Sequence, residues 1–351
     1  MREASNRRRL GYTRVVQPAS RTVILLAGLL GGIGCAGSTP KPAVPSPGPE
    51  ASQPQPAATL AQAPAPAAPA PAAAASPALP EPKIALVLGG GGARGFAHIG
   101  VIRVLEQERI PIELLVGTSV GSLIGAVYAG NADSFDLEWT AFQLTQDDIF
   151  DFRLMNTILG MGYAKGEQLE AWVSAKVRQR NIEELKIPFL AVATDLYSGS
   201  RVVFDRGSVA RAVHASSAIP GVFEPVSYQG KILVDGGVVD NLAVDVAREK
   251  GADLVLAVDI SEEVSKTTVK NLLDVLLQTT NIMCSRSVAR SREAADVLIA
   301  PALGSVGMLD FGHKKQSMQA GIEAARAAIP QIRAAIDAWK QKKAALAVPQ
   351  S

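Results

Sequence analysis

Short apolar runs alternate with longer stretches that are apolar on one side only, and the alternation occupies the middle and end of the chain. Ile84–Leu88 is a continuous apolar run with the length and character of a strand buried on both faces. From Ala97 to Arg109, Ile99, Ile102 and Leu105 recur at helical spacing and predict a helix. Leu114–Val116 predicts a second strand, and Ser122–Ala129 the helix after it. Further strands are predicted at Pro188–Thr194, Arg201–Phe204, Lys231–Val234, Leu254–Val258 and Val297–Ile299, with a helix at Asn241–Lys250. Buried strands joined by helices imply an α/β fold: a three-layer sandwich with a mostly parallel central sheet. In such sheets sites form at the carboxyl ends of strands.

The first 82 residues follow a different pattern. Residues 1–35 have the layout of an export signal: arginines at 2, 7, 8, 9, 14 and 21, the apolar run Val23–Leu30, then small residues up to Cys35. That apolar run is short for a membrane span. Gly32-Ile33-Gly34-Cys35 resembles the lipobox of bacterial lipoproteins, with Gly32 where those sequences prefer Leu. The resemblance implies lipidation of Cys35 and a lipid-anchored protein of the cell envelope. Ala36, rather than Asp, directs such proteins to the outer membrane, the other destination being a periplasm-facing membrane. A cleaved secretory peptide, or an uncleaved anchor with Cys35 inert, is the alternative. The Arg8-Arg9 pair faintly resembles a twin-arginine signal. Residues 36–82 are rich in Pro and Ala and nearly devoid of large apolar side chains, so they form an extended disordered linker rather than a core. A folded domain is expected over residues 83–347.

Charge bears on the class of partner. The whole chain carries a formal +2, but six Arg and one Glu precede Cys35. The remaining 29 basic and 32 acidic residues leave a net −3, which argues against nucleic acid as a partner. The two cysteines are Cys35 and Cys284. With Cys35 acylated no internal disulfide can form, and Cys284 reads as a buried packing residue.

The chemistry concentrates at strand ends. Gly117-Thr118-Ser119-Val120-Gly121 lies between the second strand and its helix and has the form of a nucleophile elbow. The sharp turn needs small neighbours, and a glycine stands on either side. Between the first strand and first helix lies Gly89-Gly90-Gly91-Gly92-Ala93-Arg94-Gly95. Its amides can converge near a helix N-terminus and hold an oxyanion. The same residues fit Gly-x-Gly-x-x-Gly, but the next strand runs into the serine turn instead of ending on the acid a dinucleotide site needs. Asp235-Gly236-Gly237 follows the Lys231–Val234 strand; alone it is an ordinary turn, beside the other two motifs it faces the site. Of the histidines, His98 caps or braces the glycine loop, and His214 is packed or hydrogen-bonded. His313 is the one candidate for a triad. The preferred arrangement is a dyad in which Asp235 takes the Ser119 proton directly, its basicity raised by burial.

Gly89–Gly100, Gly117–Gly121, Ala215-Ser-Ser-Ala-Ile-Pro-Gly221 and Asp235-Gly-Gly237, in this order and spacing, resemble the patatin-like phospholipases of bacteria, over roughly residues 83–329. The resemblance implies a Ser119–Asp235 dyad, oxyanion donors at Gly90, Gly91 and Gly92, and hydrolysis of acyl esters in membrane phospholipids or lysophospholipids. It implies no cofactor and no metal. Arg94 matches the loop's usual basic residue and either steadies the loop or meets a lipid phosphate. Ala243 departs from the family's Pro two residues after Asn241. The alternatives are a catalytically idle lipid- or envelope-binding protein, and a thioesterase or acyltransferase on the same fold. Three further stretches have open readings. Phe150, Phe152, Met155, Ile158, Leu159 and Met161 form either a lid or ordinary core. Leu272–Met283 is apolar on one face and is followed by Arg286, Arg290 and Arg292, which either meet anionic lipid or are solvated. Gln316–Leu346 carries an apolar stripe, with Pro330 placed to start a second helix.

Overall fold

A computed structural model of the chain describes residues 80–149, 164–262, 264 and 269–347. The readings of the signal, Cys35 and the linker to residue 79 lie outside them, as does the Phe150–Met161 stretch. The strands are β1 (Ile84–Leu88), β2 (Leu114–Thr118), β3 (Phe189–Asp195), β4 (Arg201–Phe204), β5 (Val226–Tyr228), β6 (Lys231–Asp235), β7 (Leu254–Val258) and β8 (Val297–Ile299). The described α-helices are α1 (Phe96–Gln107), α2 (Val120–Asn131), α3 (Ser134–Gln143), α4 (Gln146–Ile149), α5 (Glu167–Lys176), α6 (Val209–Ser216), α7 (Val244–Glu249), α8 (Leu272–Ala294) and α9 (Lys314–Ala347).

The strands form one eight-stranded sheet in the order β5-β6-β3-β2-β1-β7-β8, with β4 on β3. From β3 to β8 every pairing is parallel; β4, β5 and β6 pair antiparallel. β1 shows why the apolar runs are continuous. Ile84, Leu86 and Leu88 pack into one core with α1, α2 and α9, while Ala85 and Val87 point into a second core with α7. The sheet is thus covered on both faces, as the pattern implies.

One pairing detail positions the site. β4 occupies one edge of β3 across Ala191–Thr194. β2 and β6 therefore share the opposite edge: β2 pairs up to Thr118↔Val192, and β6 begins at Asp235↔Ala193. The two strands run toward each other, and their carboxyl ends meet head to head against β3.

Two expectations change. The helix after β6 starts at Val244 rather than Asn241, because Asn241 turns back to the glycine loop: its carbonyl accepts from the Gly90 amide at 3.3 Å and its Nδ2 donates to the Gly90 carbonyl at 3.2 Å. Pro330 does not start a new helix; it lies inside α9. Ile322 and Ala325 before it and Ile332 after it are all buried in the same core, so packing holds both halves in line despite the missing amide donor.

Candidate active site

Ser119 is the residue between β2 and α2. Its backbone has φ 54° and ψ −127°, a conformation that non-glycine residues seldom adopt. The turn is tight enough to exclude side chains on both sides. A Cβ on Gly117 would lie 2.5 Å from the Gly121 carbonyl oxygen, and one on Gly121 would lie 2.1 Å from that of Leu88. The Ser119 amide donates to Ser216 Oγ at 2.9 Å, and Ser216 Oγ donates to the Val192 carbonyl at 2.6 Å, so the turn is tied back to β3.

Asp235 ends β6 and is buried. Its Oδ1 accepts from the Gly237 amide at 2.7 Å, and the Ser119 hydroxyl stands beside its carboxylate. Burial pushes the Asp235 carboxyl up to about 6, against the pull of Ser119 and the Gly237 amide. The structure thus brings Ser119 and Asp235 together. Behind Asp235, Thr194 Oγ1 donates to its carbonyl at 2.9 Å.

The glycine loop lies beside Ser119: a Cβ on Gly90 would sit 3.0 Å from that of Ser119. The Gly90 amide is directed at the Asn241 carbonyl. The Gly91 and Gly92 amides have no acceptor among the described residues, whereas Ala93 N donates to Met308 at 2.7 Å. Arg94 is buried and braces the neighbouring loops. Its Nε donates to the Ile260 carbonyl at 2.7 Å, and its terminal nitrogens donate to the carbonyls of Val306 and Ser261, each at 3.1 Å. Of its two sequence readings, these contacts are the loop-steadying one.

His98 is buried at the start of α1 with Nε2 donating to the Gly89 carbonyl at 2.8 Å. Burial pushes its ring down to about 4, so it is neutral and holds the loop's first residue. His214 pairs through Nδ1 with Glu170 at 2.6 Å. His313 is half exposed and pairs with Asp310 at 2.7 Å; it lines neither cleft at Ser119. Cys284 is buried with Asp235 nearby, and burial pushes its thiol up, which makes it unreactive. Arg292 pairs with Asp259 at 2.5 Å while its side chain remains exposed.

Ser119 opens onto two clefts. One is apolar, with Leu123, Ile124, Leu144, Phe223, Met308 and Phe311 among its lining residues. The other carries polar side chains, Asp235, Asn241, Thr280 and Asn281, beside Ile219 and Met308. Ser216, Asn241, Thr280 and Asn281 are the site residues that the sequence reading leaves unassigned. Ser216 stands in one of the four motifs, but nothing in its local pattern marks a bond to β3. Among the described residues no group of three or more His, Cys, Asp or Glu could hold a metal ion, and no helix is long and apolar enough to cross a membrane.

Fold and site together define a class: an α/β domain that presents a serine on a strained strand-to-helix turn against a buried aspartate. Residues 86–248 match the family model for patatin-like phospholipase. An NTE family protein of Mycobacterium tuberculosis is 38% identical over 220 residues, 60% of this chain and 60% of that protein. Lysophospholipase nte1 of Aspergillus fumigatus is 37% identical over 179 residues, 50% of this chain and 12% of the fungal one. The chain therefore spans only part of the length of either relative. Among solved structures, VipD from Legionella pneumophila gives a TM-score of 0.42 at 16% identity, covering 71% of this chain and 66% of that one. The ExoU–SpcU complex of Pseudomonas aeruginosa gives 0.41 at 18% identity, covering 73% and 52%.

Proposed function

We propose that this domain is a serine acyl hydrolase that cleaves fatty acyl esters of phospholipids or lysophospholipids. The observation that carries the reading is the placing of the Ser119 hydroxyl beside a buried Asp235, at the junction of an apolar cleft and a loop with two uncommitted amides. Ser119 Oγ attacks the ester carbonyl as Asp235 takes its proton. The Gly91 and Gly92 amides hold the oxyanion; Gly90, whose amide faces Asn241, shapes the loop. Collapse of the tetrahedral intermediate expels the alcohol, which leaves with the proton from Asp235. Water then attacks the acyl-enzyme as Asp235 takes its proton; the bond between Ser119 Oγ and the acyl carbon breaks, Asp235 returns the proton to the serine, and the fatty acid departs. The apolar cleft accommodates the acyl chain. The match to the patatin-like phospholipase family and the lysophospholipase name of the fungal relative support a lipid ester as substrate.

The test is turnover of monomeric acyl esters by the full chain, with a fluorophosphonate label to report the nucleophile. Wild type is expected to turn over and to label. Ser119→Ala is expected to do neither while keeping its unfolding transition. Activity of Ser119→Ala or Asp235→Ala near that of wild type refutes the dyad. We also propose a lipid anchor at Cys35, a reading that rests on the sequence of residues 1–82.

A further inference from the structure

The cleft shared by Ser119 and Asp235 contains, among the described residues, a buried side-chain oxygen without a partner. Thr280 and Asn281 are each 5% exposed and present their side chains along this cleft. They belong to α8, one turn before Cys284, which lines the same cleft. From the opposite side comes Asn241, 1% exposed. Its Nδ2 is bonded to the Gly90 carbonyl, but its Oδ1 is buried without a partner. That oxygen lies between Gly90 and Gly237: a Cβ on either would come within 2.5 or 2.7 Å of it. Buried polar groups ordinarily find partners, and unpartnered ones beside a nucleophile mark the place of a ligand's polar atoms.

The partner that fits is a hydroxyl. Asn241 Oδ1 requires a donor, while the Asn281 amide and the Thr280 hydroxyl can supply hydrogen bonds to an acceptor. A hydroxyl does both at once. A phosphate only accepts, and here it would meet the carboxylates of Asp235 and Glu262, while Arg94 directs three donors at backbone carbonyls. With the acyl chain in the apolar cleft, the second one is left for the alcohol half of the ester.

We propose that Thr280, Asn281 and Asn241 form a subsite for a free hydroxyl on the leaving alcohol, next to the scissile ester. The enzyme then prefers monoacyl polyol esters over fully acylated ones, and the head-group phosphate stays outside this chamber. The inference rests on Ser119 being the nucleophile.

The experiment compares two soluble short-chain esters with the full chain: 1-acylglycerol, and the same acyl group on propane-1,3-diol, which lacks only the adjacent hydroxyl. Wild type is expected to favour the glycerol ester in kcat/KM by about tenfold or more, because a site built to bond a hydroxyl discriminates against its absence. In Asn281→Ala and Thr280→Val that ratio is expected to fall toward one. A wild-type ratio near one overturns the proposal, and so does a full ratio retained in both variants. The wild-type comparison decides even where a variant fails to fold. Ser119→Ala is run beside them. Its continued turnover sinks the hydrolase reading, whereas a dead Ser119→Ala with a flat wild-type ratio sinks the hydroxyl subsite alone.

Discussion

Replacing Asp235 by Asn separates what the site does for chemistry from what it costs the fold. Asp235 is 3% exposed, and burial raises its carboxyl from 3.8 to about 6. A carboxyl whose folded value exceeds its unfolded one binds more protons in the native state. Stability from this group is therefore fully present below about pH 4 and is lost as pH rises through about 6. A shift of about two units corresponds to about 3 kcal/mol at 1.36 kcal/mol per unit. Asp235→Asn is close to isosteric, can still accept from the Gly237 amide, and never ionises. The stability difference between variant and wild type is expected to rise by about 3 kcal/mol in favour of the variant as pH rises from below 4 to above 6, with its midpoint near 5.

Urea unfolding of both proteins across that pH series measures the difference directly. A pH-independent offset, such as an altered contact with Ser119, displaces the curve without changing its slope. The same ionisation should govern catalysis: kcat/KM of wild type rises with pH with an apparent pKa near 6, and Asp235→Asn is inactive throughout. A difference that stays flat from pH 4 to 8, or grows in favour of wild type, refutes the claim that this carboxylate is held charged in a desolvating site.

Other perturbations have definite expected outcomes. Ser119→Gly relieves a strained conformation that costs about 1–3 kcal/mol, less the extra freedom glycine has when unfolded, so stability should rise by about 1 kcal/mol as hydrolysis disappears; a lower melting temperature would contradict the strain. Arg94→Met leaves the carbonyls of Ile260, Ser261 and Val306 without their donor, and at about 1–3 kcal/mol per orphaned group it should cost at least about 3 kcal/mol in denaturant unfolding. An unfolding curve close to wild type would mean that these bonds contribute little. For the anchor, cells expressing the chain should incorporate labelled palmitate, and Cys35→Ala should abolish the label and free the protein from the membrane fraction. Equal labelling of both removes Cys35 as the modified residue.

The parallel half of the sheet was legible because its strands are buried on both faces, which makes Ile84–Leu88 and Leu254–Val258 continuous apolar runs. The Ser119 turn was legible because its backbone geometry excludes side larger than hydrogen at Gly117 and Gly121. Short helices were not: α3, α5 and α6 are only eight to ten residues long and carry no long apolar period. On α8, which is apolar on one face over Leu272–Met283, Leu272, Val275 and Met283 are exposed while Thr280, Asn281 and Cys284 are buried. Hydrophobic pattern reports where apolar groups would be buried, and a cleft that takes up polar side chains inverts it. The Gly90 amide was likewise unreadable, since its direction is set by Asn241, 151 positions away.

The meeting of Ser119 and Asp235 follows from strand direction more than from side-chain choice. Thr118 and Asp235 oppose consecutive residues of β3, Val192 and Ala193, so the ends of β2 and β6 stand about one residue step apart along a shared partner. Each end is then tied to β3: the Ser119 amide through Ser216 to the Val192 carbonyl, and the Asp235 carbonyl to Thr194. Gly236 completes the junction, for a Cβ there would lie 2.1 Å from the Val192 oxygen. The proposed dyad is therefore mounted on the sheet, with Ser216 at the end of α6 bridging the serine turn to β3. The second cleft, by contrast, is walled in part by α8. On the proposed reading, chemistry and leaving-group selectivity are built on different layers of the fold, and substitutions at Thr280 and Asn281 are expected to redirect which ester is cleaved.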